Sequence, residues 1–302
     1  MDAVKKELTR KSKASRQDQR GKLISLACVT LIMLVVLSIL YMITSKGLAT
    51  FFENKMSIVD FFTKQVWNPS AKPQALVGAL PMIVGSFSVT VLSALLAAPF
   101  AIATAIFMVD IAGKRGRKIL QPVIELLVGI PSVVYGFIGL TVVVPFTRTV
   151  FGGTGFGILS GTFVLFVMVL PTVTSMYVDS LKAVPQFYRE ASLALGATRW
   201  QTIYKVIIRA SIPGLLTAII FGMARAFGEA LAVQMVIGNA SILPSDLVSP
   251  ASTLTSVLTT GIGNTVLGTL PNNALWSLAL VLLLMSLVFN LLTRFIGKKG
   301  AF

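Results

Sequence analysis

Six stretches of this chain are apolar for long enough to cross a lipid bilayer, and the polar residues between them fall into short loops. A spanning helix needs about 20 apolar residues. Residues 23–44 supply such a run without interruption. The run exceeds a signal-peptide core and lacks a small-residue cleavage site, so it is expected to stay uncleaved. The stretch 75–109 holds Pro81 and Pro99, which predicts one span with extra length or kinks. A third span is expected over 119–145, interrupted at Gly129-Ile130-Pro131. A fourth is expected over 158–177, after the glycine-rich turn Phe151–Gly157, a fifth over 211–237 and a sixth over 274–296. The polar remainder comprises a basic tail (1–22), a mixed loop (45–74), a short basic loop (113–118), a polar segment (178–210), a Ser/Thr/Pro-containing loop (238–273) and the C-terminus (297–302). No internal repeat is evident, so inverted-repeat carriers gain no support.

Composition agrees with the pattern. Hydrophobic residues make up 55% of the chain and charged residues 12%. Mean hydropathy is +0.85. A soluble domain of this size carries about twice that charge fraction. The net charge of +15 raises the question of nucleic acid. The basic residues, however, sit between spans rather than along one stripe, so no nucleic-acid partner is expected. Twenty of the 26 Lys and Arg lie in the tail, the 113–118 loop, the 182–209 region and the C-terminus; five lie in the alternate loops. Six spans and this bias together predict that both termini are cytoplasmic, with the tail near anionic lipid headgroups. The single cysteine, Cys28, is expected to be a buried inert thiol. The absence of histidine removes the commonest proton shuttle and metal ligand, which argues against a metalloenzyme or a Ser–His hydrolase.

One cation remains inside a span. Arg225 lies in an apolar run with Glu229 four residues on. An arginine at mid-bilayer costs about 2.5–3.5 kcal/mol on insertion scales, and chains that keep one commonly line a polar path with it. The spacing predicts that Arg225 and Glu229 share a helix face and pair. Two readings stand: a substrate path that uses both residues, or a permanent pair that stabilises the bundle. Pro131-Ser132 breaks the third span, and Ser132 is a candidate cap for a half-helix whose N–H groups face an anion; the alternative is a packing kink. Glu125 is expected to pair with a cytoplasmic-side arginine. Gly152, Gly153, Gly155 and Gly157 lack the Gly-Lys-Ser/Thr ending of a nucleotide loop, so ATP must be bound by another chain.

Between spans four and five, Pro185 opens a run of helix formers from Arg189 to Leu195, and Gly196 is a natural terminator. A second amphipathic helix is expected with Trp200, Ile203, Tyr204 and Ile207 at 3–4 spacing. A helix–Gly–helix of this kind fits a groove on a partner or lies on the lipid surface. The residues Glu190-Ala191-Ser192-Leu193-Ala194-Leu195-Gly196 resemble the Glu-Ala-Ala-x-x-x-Gly loop of ABC importer permeases. The resemblance implies that Glu190, Ala191, Ser192 and Gly196 belong to the coupling helix that seats in a cytoplasmic ATPase. The usual continuation, Ile-x-Leu-Pro, is Val206-Ile207-Ile208-Arg209 here, with a proline only at Pro213.

Glu125–Phe137 and Arg225–Asn239 resemble the permeases of the high-affinity phosphate importer, and the ending Met-Val-Ile-Gly-Asn resembles its C-type permease. The likeness covers roughly residues 75–296. It implies an all-α polytopic membrane protein, with six transmembrane helices and a type I ABC importer permease core over 75–296. It further implies an A-type permease as heterodimer partner, two cytoplasmic ATPase subunits that bind the ATP, and an extracytoplasmic phosphate-binding protein. The 238–273 loop, without Lys or Arg, is a candidate docking surface for that binding protein. The chain itself is expected to need no cofactor and to catalyse no bond chemistry. The expected location is the plasma membrane, or the inner membrane of a Gram-negative cell. Chemically, phosphate suits Arg225: a guanidinium offers five donors and keeps its charge in a low-dielectric site. The alternatives are a permease for molybdate, tungstate or sulfate, an ion-coupled secondary anion carrier, and a non-transporting membrane scaffold or sensor.

Overall fold

A computed structural model describes residues 13–298, with the side chains at 13–16, 114, 115, 117 and 298 outside the described set. The basic tail up to residue 12 and the C-terminus from residue 299 lie outside the described residues, as do the side chains of most of the 113–118 basic cluster. The chain divides into two units, Met1–Lys46 and Gly47–Phe302. The first is the greater part of one long helix, α1 (Lys13–Phe52). Its described side chains from Gln17 to Met42 are exposed, an apolar cylinder suited to lipid. Cys28 is exposed as well, which corrects the expected buried thiol: its neighbours on every face are apolar, and burial by lipid needs no protein cover.

The second unit starts in the last turns of α1. Its further helices are α2 (Ile58–Thr63), α3 (Leu80–Ile106), α4 (Gly113–Gly129), α5 (Ser132–Ile138), α6 (Val144–Phe151), α7 (Ile158–Lys182), α8 (Gln186–Ala194), α9 (Arg199–Gln201), α10 (Ile208–Phe227), α11 (Leu231–Gln234), α12 (Leu254–Gly261) and α13 (Leu270–Lys298). Wider π turns continue α3 over Phe107–Ile111, join α5 to α6 over Gly139–Val143, and join α9 to α10 over Thr202–Ile207. A two-residue antiparallel ladder pairs β1 (Trp67–Asn68) with β2 (Leu76–Val77). It sits beside Phe61, which is wholly buried among Phe51, Phe62 and Trp67.

Six helices are long and apolar enough to span: Gln17–Phe52, Leu80–Ile111, Ser132–Phe151, Ile158–Ala183, Arg199–Phe227 and Leu270–Gly297. The protein is a multi-pass, all-α membrane protein, and two spans differ from their expected bounds. The third starts at Ser132, not at residue 119, because Ile130 is extended (ψ 128°) before Pro131 and ends α4. On α4, Gln121 Nε2 donates to Glu125 Oε1 at 2.9 Å, in place of the expected arginine partner for Glu125.

The fifth span lies about three turns earlier than expected. Thr198 and Gln201 form a capping box that starts the helix at Arg199, and Gly228 caps its end. The expected separate amphipathic helix around Trp200 is therefore the first part of this span. Pro213 stands inside the helix, so the Arg209 departure leaves an unbroken rod with a π turn before it.

Small residues set the packing. Ala97, Ala101 and Ala105 of α3 are fully buried, as are Val89 and Ser93, and they face α7. Without a hydrophobic drive between helices in lipid, such residues let backbones approach closely. A methyl group on Gly222 of α10 would lie 2.6 Å from Val173 of α7, and one on Gly47 would lie 2.9 Å from Leu280 of α13. Ser277 of α13 donates to Gly47 O and Thr50 Oγ1, both at 2.7 Å, which fixes the last turns of α1 against α13.

Candidate functional site

The end of the fifth span sets the first site. Helix α10 stops at Phe227; Gly228 to Ala230 are non-helical, and α11 is a single turn. Arg225 and Glu229 therefore do not share a helix face, and among the described residues no ion pair joins them. This corrects the expected pairing: the helical register they need is lost at Gly228. Arg225 instead donates from Nη1 to Thr172 Oγ1 of α7. Glu229 Oε1 accepts from the Ala232 N–H at 3.2 Å, so it caps α11, and the Glu229 carbonyl oxygen accepts from Thr255 Oγ1 at 2.9 Å. Both residues are partly buried.

The apolar run 231–237, expected as the end of a span, is instead core filling. Ala232, Val233, Val236 and Ile237 are at most 2% exposed. The chain then turns at Gly238 (φ 95°) and Asn239 (φ 54°), a left-handed pair that favours these residue types. It returns to pair with Ala251, and a second capping box at Thr253 and Ser256 starts α12. The Leu254 N–H donates to Ser86 Oγ of α3 at 2.8 Å. A Cβ on Gly85 would lie 2.2 Å from Ser252 O, so only glycine admits this approach. Ser86, Thr90, Glu229, Thr253 and Thr255 border a cavity of about 10 Å³, the size of a single water. A phosphate ion does not fit there, so an anion path at Glu229 is not enclosed by this chain alone.

Ser132 is the first residue of α5, with Pro131 in the cap position and no side-chain cap hydrogen bond. The expected capping role is corrected: Pro131 at ψ 138° already occupies the cap. Helix α5 packs against α11, where a Cβ on Gly136 would lie 2.8 Å from Met235 Sδ and 2.9 Å from Ala232 Cα. Tyr135 of α5 lies within electrostatic reach of Arg225, and its hydroxyl donates to Leu127 O at 2.8 Å.

The loop before the fifth span forms the second site. Helix α8 has no buried residue, and Gly196 (φ 83°) follows its end with open space around it. Backbone conformation, not crowding, requires the glycine. Glu190 is exposed and accepts from Gln186 Nε2 at 2.8 Å; Ser192 Oγ bonds Thr202 Oγ1 at 2.9 Å. Around them Phe187 and Leu193 are exposed, Leu195 is 89% exposed and Trp200 63%. A single chain with this much uncovered apolar surface on a polar loop presents a surface for a partner. A groove of about 560 Å³ runs beneath, bordered by Asp110, Lys182, Gln186, Arg189, Glu190 and Arg199 among others. Across it Arg189 forms an ion pair with Asp110, at the end of the second span. The structure thus gathers Glu190, Ala191, Ser192 and Gly196 in one element. Sequence reasoning missed Asp110 and Thr172, whose partners lie 79 and 53 residues away. An acid inside the second apolar stretch was the one available signal for Asp110.

In the 238–253 loop, Asp246 Oδ1 accepts from the N–H of Val248 (2.9 Å), the N–H of Ser249 (2.6 Å) and Ser249 Oγ (2.8 Å). The Ser249 hydroxyl bond first, then the two backbone bonds, hold the Asp246 pKa below its ordinary 3.8. The contribution to loop order is therefore complete above about pH 3.8 and is lost as pH falls through the lower folded value. Asp246→Ala is expected to speed amide hydrogen exchange at Val248 and Ser249 by about tenfold at neutral pH, as loss of a bond to a charged group predicts. Unchanged exchange would show that the loop is ordered by other contacts.

Residues 97–299 match the profile of the family described as binding-protein-dependent transport system inner membrane component. The chain is 52% identical over 291 residues to a probable ABC transporter permease protein, YqgH, of Bacillus subtilis strain 168, over 95% of this chain and 94% of that one. It is 30% identical over 266 residues to the phosphate transport system permease protein PstC of Mesorhizobium japonicum, over 80% of each chain. Among solved structures, a bacterial alginate ABC transporter in complex with an alginate pentasaccharide-bound periplasmic protein superposes with a TM-score of 0.58. The identity is 16%, over 94% of this chain and 99% of that one, and the likeness concerns the fold alone.

Proposed function

From the premise that this chain belongs to the binding-protein-dependent transport system inner membrane components, ABC importer permeases, we propose that it carries inorganic phosphate into the cell. The observation that carries the substrate is Arg225: a cation inside a span, held by the neutral hydroxyl of Thr172, with no carboxylate in ion-pair reach among the described residues. A buried cation without a counter-ion is poised for an anionic ligand. The relatives named as phosphate permeases support the same substrate.

In this reading Arg225 grips the phosphate oxygens through its planar fork. Glu229 stays on the α11 cap and bounds the path by repulsion, which helps the anion to leave. Ser132 and the first turn of α5 border the same path. An A-type permease completes the path at the dimer interface. Two cytoplasmic ATPase subunits bind ATP and seat on the loop around Glu190, Ala191, Ser192 and Gly196. An extracytoplasmic phosphate-binding protein docks on the 238–273 loop. The termini are cytoplasmic, the membrane is the plasma or inner membrane, and the chain needs no cofactor of its own. ATP-driven closure of the ATPase pair displaces the loop and alternates the access of the path.

The test is uptake of radiolabelled phosphate at micromolar concentration in cells lacking the gene and any second high-affinity system. Loss on deletion and rescue by the wild-type chain are expected. Unchanged uptake overturns phosphate as the substrate. A second reading, another oxyanion such as molybdate, tungstate or sulfate, draws on the 52%-identical relative, whose name carries no substrate.

A further inference from the structure

We propose that the Asp110–Arg189 ion pair is the link through which movement of the coupling helix reaches the second span; the inference rests on the importer reading above. Asp110 lies in the π turn that closes the span Leu80–Ile111, and Arg189 lies in α8, one residue before Glu190. The Asp110 side chain is 7% exposed and that of Arg189 24%. Each residue stands where its own helix disfavours it. An acid near a helix C-terminus and a base in the first half of a helix both oppose the macrodipole. Burial adds to the cost of the Asp110 charge. Local structure therefore gives no reason for either residue, and what offsets both costs is the bond between them.

That bond matters because α8 has no other firm hold on the bundle. None of its residues is buried, so apolar packing does not tie it to the spans. Ser192 ties it to Thr202, at the start of the fifth span. Among the described residues, Arg189–Asp110 is the one ion pair that joins α8 to a different span. The coupling helix is thus held by two polar links to two spans, with the groove of about 560 Å³ between them. A helix held in this way moves as a lever: a push on its exposed apolar collar is passed to span two through Asp110 and to span five through Thr202. Span two packs along α7, which holds Thr172, the partner of Arg225. The link therefore connects the ATPase side to the candidate anion site through contiguous packed elements.

The experiment uses the complete importer in proteoliposomes, with Asp110→Asn, Arg189→Gln, the double variant and Arg189→Lys, and measures ATP hydrolysis and phosphate uptake together. Asp110→Asn and Arg189→Gln are each expected to lower the ratio of uptake to hydrolysis at least tenfold while the subunits still co-purify. The double variant is expected to be no worse than the worse single one, and Arg189→Lys to keep most of the ratio. An unchanged ratio in Asp110→Asn, or additive losses in the double variant, overturns the inference. So does loss of subunit assembly in both neutral single variants, because the pair would then hold the fold rather than pass the stroke. Absence of phosphate uptake by the wild-type complex would instead count against the phosphate reading, and the ratio would then be read with the oxyanion that is transported.

Discussion

Replacing Arg225 by Gln is expected to lower phosphate uptake about 100-fold or more while the complex still assembles. Hydrogen bonds to charged groups are worth about 1.5–3 kcal/mol each, and loss of a bidentate grip removes two of them. At about 1.4 kcal/mol per factor of ten, this amounts to two orders of magnitude or more. The fold should tolerate the change for a reason specific to this structure. Glu229 does not pair with Arg225; it caps α11 through the Ala232 N–H, so removal of the guanidinium strands no buried carboxylate. The glutamine amide keeps a donor for Thr172, the present partner. Arg225→Lys should fall between, since an ammonium supplies charge without the fork. Uptake assays paired with co-purification of the subunits check both halves, and normal uptake by Arg225→Gln would remove this residue from the path.

Glu190→Lys should be comparably damaging for a different reason. Glu190 is exposed and its one described bond, from Gln186 Nε2, lies within its own helix. Surface changes of this kind alter stability by about 0.5 kcal/mol or less. The reversed charge would instead act on whatever seats against α8, where like-charge juxtaposition at an interface costs several kcal/mol. Uptake is expected to fall at least about tenfold, with weaker retention of the ATPase subunits during purification and an unchanged melting temperature of the permease. Full retention and full uptake would mean that the loop seats without this carboxylate.

The spans were legible in the sequence because membrane burial demands long apolar runs, and a run such as 274–296 has few other uses. Their ends were less so. The third run, 119–145, contains Pro131, and the sequence alone did not say whether the chain bends or stops there; the extended Ile130 shows a stop. The run 211–237 read as one span because apolar periodicity does not distinguish a lipid-facing helix from a buried turn. The two capping boxes at Thr198 and Thr253 were present in the sequence and are what set the true starts. The coupling loop was legible because Gly196 is a local signal with a local cause. The mid-bundle site was only half legible. Arg225 was visible as a charge in an apolar run. Its partner was misassigned because a helix was extended through Gly228. Thr172 and Asp110 are joined to their partners by tertiary folding, and i,i+4 reasoning does not reach them.

The central claim, an ATP-driven phosphate permease, is tested most directly by uptake into proteoliposomes that hold this chain with an A-type permease and the ATPase subunits, supplied with the binding protein. The account predicts accumulation of radiolabelled phosphate that requires ATP on the cytoplasmic side and persists in an excess of sulfate, molybdate or tungstate. Accumulation without ATP, driven by an ion gradient, or uptake abolished by one of the competing oxyanions, would contradict it.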